Sequence, residues 1–186
     1  MTLRALPAFR LSRAAPQKVE PMSELVGFRI GPEDFGADIL MVQEIIRLPE
    51  VTPLPNAPAF ILGVINLRGR ILPVIDLRQR LKIPGKQPEI DKRKTRILIV
   101  EVDGHLTGFI VDAALGILKV PTSEIEPTPD LLASSIDAEF IRGVIKLPGR
   151  LVILLDFQRI LKPQEKKELS EFEMHGMGED SGREES

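Results

Sequence analysis

The chain has 186 residues, 43% of them hydrophobic and 4% aromatic, with 25 basic against 27 acidic side chains and no cysteine. That length allows one or two domains, and the missing cysteine excludes disulfides, a thiol nucleophile and thiolate metal sites. Residues 21–162 carry 18 bases and 18 acids with no basic stripe interleaved with aromatics, which argues against nucleic-acid binding.

Residues 1–20 hold Arg4, Arg10, Arg13 and Lys18 against Glu20 and read as a flexible tail; the arginines interrupt every apolar run a signal peptide would need. LVGFRI (25–30) reads as a strand, Gly31-Pro32-Glu33-Asp34 as a turn and FGADI as the return strand. Val42, Ile45, Ile46, Leu48, Val51 and Leu54 crowd the next junction, more apolar residues than a small core can take. GVINL and ILPVID form a second strand pair. Asp76 then stands where it can N-cap a helical turn over 77–81, with Gln79 at the capping-box position.

Lys92, Arg93, Lys94 and Arg96 read as a solvated linker. RILIVEV (96–102), Asp103-Gly104 and HLTGFIV read as another hairpin, and Asp-Gly is a strong turn signal. GVIKL and LVILLD follow, and Asp156 is placed to cap 157–161. Residues 163–186, with three bases and eight acids, read as an acidic and largely disordered tail in which a short helix can persist near 165–172. No run of 18 apolar residues occurs, so neither a membrane-spanning helix nor direct membrane insertion is expected. Short strands, regular turns and no long helical periodicity predict a mainly β protein of small barrels with short helices.

Two segments are copies of one another. FILGVINLRGRILPVIDLRQRL (60–81) and FIRGVIKLPGRLVILLDFQRIL (140–161) share ten of 22 positions at an offset of 80. Upstream the offset is 72, with Pro49 facing Pro121, so the second copy has eight extra residues between Pro121 and Phe140. The reading is a flexible tail (1–20), a domain (21–162) and the acidic tail (163–186). Within the domain, a first unit covers about 25–82 and a second about 95–161, and their terminal strands are free to swap.

The duplicated Asp76 and Asp156 invite comparison with a two-lobed aspartic hydrolase. That chemistry needs two carboxylates sharing a proton on tight turns with small polar neighbours. Here Leu77-Arg78 and Phe157-Gln158 follow, and helix capping is the better reading. His105 and His175 stand apart in sequence. No nucleophile–base set, metal site, cofactor site or phosphate-cradling loop can be assembled. The copies differ in other places. Glu44 aligns with Gly116, Asn66 with Lys146, and Arg68 with Pro148 of a Pro-Gly turn suited to type II. Copy one thus carries three polar residues where copy two carries generic ones, and Glu44 and Arg68 have opposite charges that can pair.

Val42-Gln43-Glu44-Ile45, Pro53-Leu54-Pro55-Asn56-Ala57-Pro58, Gly63-Val64-Ile65-Asn66-Leu67-Arg68-Gly69 and Pro73-Val74-Ile75-Asp76-Leu77-Arg78 together resemble the CheW family of chemotaxis coupling proteins. The resemblance runs from about residue 25 to 161. Phe35 stands where a Tyr is common, and Ala113-Ala114-Leu115-Gly116 is plainer than the family's stretch. The resemblance implies two five-stranded SH3-like barrels and a non-enzymatic cytoplasmic adaptor recruited to membrane-associated receptor arrays. Its expected partners are the regulatory domain of the histidine kinase CheA and the cytoplasmic tips of methyl-accepting chemoreceptors. With about 20 residues before the domain and 25 after it, a stand-alone adaptor is expected. A scaffold of another motility or developmental system is the alternative. The matching motifs make Val42, Gln43, Glu44, Ile45, Gly63, Asn66, Leu67, Arg68 and Gly69 the expected partner-binding residues.

Overall fold

Among the described residues (19–84, 90–133 and 138–176), the structure, a computed structural model, has eleven strands in two sheets. The first half of the chain contributes β1 (Met22–Ile30), β2 (Glu33–Asp38), a 3-10 turn (Ile39–Met41), β3 (Val42–Arg47), β4 (Ile61–Leu67), β5 (Arg70–Asp76) and the single-turn helix α1 (Leu77–Arg80). The second contributes β6 (Arg96–Val102), β7 (His105–Val111), β8 (Ala113–Pro121), β9 (Ile125–Glu126), α2 (Asp130–Ala133), β10 (Ile141–Leu147), β11 (Arg150–Leu155), α3 (Phe157–Ile160) and α4 (Pro163–Gly176). The strands expected from alternation and turn residues are present, with β2 starting at Glu33 inside the expected turn, and β3, β8 and β9 are strands that the sequence pattern did not mark.

The sheets do not follow the halves of the chain. The first sheet runs β8-β1-β2-β11-β10-β9 and the second β3-β6-β7-β5-β4. Hairpin β1–β2, from the first half, therefore pairs with strands of the second half. Hairpin β6–β7, from the second half, completes the sheet of the first. Units of 25–82 and 95–161 are thus each built around the other's opening hairpin. The register supports the two sequence offsets residue by residue. Gly27 pairs with Gly36 as Ile99 pairs with Gly108, and Ile61 with Ile75 as Ile141 with Leu155. Both β4 and β10 carry an irregularity at the same place, between Ile61 and Gly63 and between Ile141 and Gly143.

Alternation gives each sheet two apolar faces and hence three cores. Leu25, Val120, Ile145, Val152 and Leu154 pack on one face of the first sheet, and Ile65, Leu72, Val74, Ile97 and Ile99 on one face of the second. The largest cluster lies between the sheets and gathers Phe28, Phe35, Phe109, Phe140 and Phe157. The Phe28 and Phe35 rings stack at 5.9 Å, and the Phe109 and Phe157 rings tilt together at 4.8 Å. With so few aromatics, concentrating them here makes the inter-sheet core the main source of burial energy.

Thr107 is the polar intruder in this arrangement. It alternates on β7 with the core residues Phe109 and Val111, is fully buried, and its hydroxyl has no hydrogen-bond partner among the described residues. Its counterpart in the other half is Phe35. An unsatisfied buried hydroxyl costs about 1–3 kcal/mol. Thr107→Val keeps the shape and removes the hydroxyl, so urea unfolding is expected to show a gain of about 1 kcal/mol. An equal or lower midpoint in the variant would show that the hydroxyl is satisfied.

The chain beyond residue 162 differs from its reading as a largely disordered tail. Residues 163–176 form α4, longer than the short helix expected near 165–172. Pro163 occupies the first helical position, and Glu165 accepts the Lys162 N–H at 2.7 Å, one half of a capping box. Leu169 is buried in the inter-sheet core. Arg80 of α1 donates to Ile160 O at 2.7 Å and to Glu165 Oε2 at 2.7 Å, and lies 5.3 Å over the Phe140 ring. One apolar side chain and one well-placed acid thus dock a segment whose composition is otherwise tail-like. The tail readings for 1–18 and 177–186 lie outside the described residues.

Candidate functional site

Leu67 and Arg70 close the β4–β5 hairpin, leaving Arg68-Gly69 as a two-residue loop. Both loop residues have positive φ, +53° at Arg68 and +83° at Gly69, the type I′ pattern. The Asn66 side chain spans the turn and accepts the Gly69 N–H at 2.8 Å. In the other copy Pro148 fixes a negative φ and only Gly149 is positive, at +74°, the type II pattern. A β-carbon in the left-handed region costs about 1–2 kcal/mol. Copy one holds Arg68 there, where copy two has a residue suited to its turn.

The conformation carries the guanidinium back over β3. Arg68 Nη1 donates to Glu44 Oε2 at 2.9 Å and Nη2 to Oε1 at 2.8 Å, a two-point pair. The Arg68 side chain is 75% exposed and that of Glu44 32%. The pair stands on the rim of an open concavity of about 450 Å³ on the second sheet. Gln43, Glu44, Leu67 and Arg68 line it, with Ile99, Glu101 and Leu106 from the exchanged hairpin and Arg70 from β5. Asn66 and Gly69 shape the turn at its edge.

Three of the expected partner-binding residues are not on this face. Ile45 pairs with Leu98 and Val42 with Val100, both in the inter-sheet core, whereas Glu44 pairs with Ile99 of the sheet's other face. Ile45 and Val42 therefore point to the opposite side of β3; Ile45 stays partly exposed and Val42 packs against the core. Gly63 is buried beneath the preceding loop. A β-carbon there would lie 2.3 Å from Thr52 O, so its hydrogen must face backbone, and it offers no surface to a partner. Ile99, Glu101, Leu106 and Arg70 escaped the sequence reading, which did not compare them with their counterparts in the other half.

The counterpart face of the first sheet is closed. Asp34 is buried between Arg29 Nε at 2.8 Å and Arg150 Nη1 at 3.2 Å. The Arg29 hydrogen bond, opposed by burial, holds the Asp34 carboxyl below its ordinary value, and Arg150 adds to the lowering.

Asp76 and Asp156 belong to separate helices. Asp76 Oδ1 accepts Arg78 N at 2.9 Å and Gln79 N at 3.4 Å at the start of α1, and Asp156 Oδ1 accepts Gln158 N at 3.0 Å at the start of α3. Gln79 returns its amide to the Asp76 carboxylate, at 3.3 Å, instead of to the backbone N–H of a capping box. Among the described residues no three His, Asp or Glu side chains form a metal-ligating group. What the described residues build here is a shaped surface.

Comparison with known proteins gives the chain a family. The family model of the CheW-like domain matches residues 24–165. A chemotaxis protein CheW of Rhizobium meliloti is 37% identical over 157 residues, 84% of this chain and 99% of that protein. A CheW of Klebsiella aerogenes is 34% identical over 142 residues, 76% of this chain and 83% of the other. The crystal structure of the scaffolding protein TtCheW from Thermoanaerobacter tengcongensis superposes with a TM-score of 0.68 at 33% identity, covering 80% of this chain and 94% of that one.

Proposed function

The chain belongs to the family of CheW-like domains, and from that premise we propose that it couples chemoreceptor cytoplasmic tips to the histidine kinase CheA through the concave face of its second sheet. Its function is that of a chemotaxis coupling adaptor, a scaffold whose work is done by surfaces. An adaptor needs faces that are apolar at the centre and polar at the rim. The floor of Leu67 and Ile99 within a rim of Gln43, Glu44 and Arg68 has that form. No helix among the described residues is long and apolar enough to cross a membrane. The proposed location follows from the adaptor reading: the cytoplasm, with recruitment to receptor arrays through protein contacts.

The observation that carries this reading is the two-point pair of Arg68 and Glu44. An exposed ion pair contributes only about 0–1 kcal/mol to stability. The left-handed backbone at Arg68 costs as much or more, so the pair's value lies in presentation. Glu44→Ala and Arg68→Ala are each expected to impair ternary assembly with receptor and kinase fragments while changing unfolding by less than about 1 kcal/mol. A double-mutant cycle on assembly is expected to show coupling, because the two share one contact. Wild-type assembly by both single variants would remove the reading.

A further inference from the structure

We infer that Arg70 and Leu106 determine which partner segment the concave face accepts: one that sets a carboxylate beside an aliphatic side chain. The inference rests on the adaptor reading and adds the chemistry of the partner.

The internal duplication supplies the template. In the first sheet Arg29, Asp34 and Arg150 form a closed group, with the Asp34 carboxylate between two guanidiniums. By the offsets of 72 and 80, their counterparts in the second sheet are Glu101, Leu106 and Arg70. Arg70 keeps the cation of Arg150, but Leu106 replaces the acid that would hold it. Arg70 is exposed and makes no ion pair among the described residues. Leu106 instead joins Leu67 and Ile99 as an apolar floor. The other rim cation, Arg68, is committed to Glu44 through both terminal nitrogens.

The face thus keeps one guanidinium of that group, with Leu106 in place of the bridging acid and Glu101 in place of the second guanidinium. A partner carboxylate on Arg70 would take the part that Asp34 plays beside Arg150, through a charge-assisted, two-point hydrogen bond. An aliphatic side chain of the same segment would cover Leu67, Ile99 and Leu106. Glu101, at the far side and 3.5 Å from the Gln43 amide, repels a second acid and so fixes the direction in which the segment lies.

The test uses the full chain and two probes from the same organism, the receptor cytoplasmic-tip fragment and the kinase regulatory domain, titrated separately by calorimetry. Arg70→Glu is expected to weaken binding of one probe about tenfold or more, the equivalent of one lost charged hydrogen bond. Arg70→Lys, which keeps the charge and loses the fork, is expected to fall between. Leu106→Asp sets an acid beside Arg70, as Asp34 stands beside Arg150, and removes the apolar floor, so it is expected to lose binding in a chain that circular dichroism shows to be folded. Replacing the contacted acid of the probe by lysine is expected to restore binding to Arg70→Glu. If the wild-type chain binds the probes and both Arg70→Glu and Leu106→Asp bind them equally well, the inference fails and the adaptor reading stands. If the wild-type chain binds neither probe, both fail. A change confined to self-association would assign the face to a second copy of the chain and overturn the inference.

Discussion

Truncation after Lys162 is expected to destabilise the protein severely, although the segment removed is polar and acidic. The truncation takes Leu169 out of the inter-sheet core and Glu165 away from Arg80. Leu169→Ala alone is expected to cost about 2–5 kcal/mol, the range for emptying a buried leucine site, and to lower the melting temperature by roughly 5–15 °C. The full truncation adds the loss of an acid from Arg80, whose side chain is only 14% exposed and keeps just the Ile160 carbonyl and the Phe140 ring. Thermal unfolding of the two variants beside a chain lacking only 177–186 separates the core contribution from that of the remaining tail. An unchanged midpoint for Leu169→Ala would mean that α4 is not docked.

Gly63→Ala and Gly143→Ala are expected to behave as a pair. At Gly63 an added β-carbon meets Thr52 O at 2.3 Å, and at Gly143 it meets Glu126 O at 2.6 Å. Both obstacles are backbone, so no side chain can swing aside. Thr52 and Val64 exchange two hydrogen bonds at 2.9 Å across the first site, and Ile125–Glu126 pairs with β10 across the second. Opening either crossing is an overpacking error of about 1–3 kcal/mol. Urea unfolding is expected to show losses of similar size in both variants. Assembly with partners should suffer more in Gly63→Ala, because the displaced strand leads into the Asn66–Gly69 turn. A large difference between the two in stability would mean that the two crossings are not equivalent.

Most of the strand plan could be read from residue order. Asp103-Gly104 marks a hairpin because both positions need positive φ, which they have, at +49° and +82°. The pairing of Glu44 with Arg68 was legible because a duplicated chain supplies its own control. Where one copy has Pro148 and the other an arginine, turn chemistry no longer explains the choice. Other features depend on long-range packing that local pattern does not encode. The burial of Gly63 follows from a loop eleven residues away crossing over it. The length of α4 follows from Leu169 and Arg80 meeting their partners only in the folded chain. Even so, Lys162-Pro163-Gln164-Glu165 carries a helix-start signal that the acidic composition outweighed. The exposed Arg70 went unnoticed because its significance lies in Leu106, 36 positions away.

The exchange of hairpins means that neither half of this chain is a fold in its own right. A single unit with the β1–β2 type of opening hairpin could complete its sheet only by borrowing the hairpin of another molecule, as an obligate, symmetric pair whose integrity falls with dilution. Joining two such units in one polypeptide makes the loan permanent and independent of concentration. It also ends the symmetry. In a pair of identical chains every surface change appears twice, whereas here one face can stay locked by Asp34 while its twin opens.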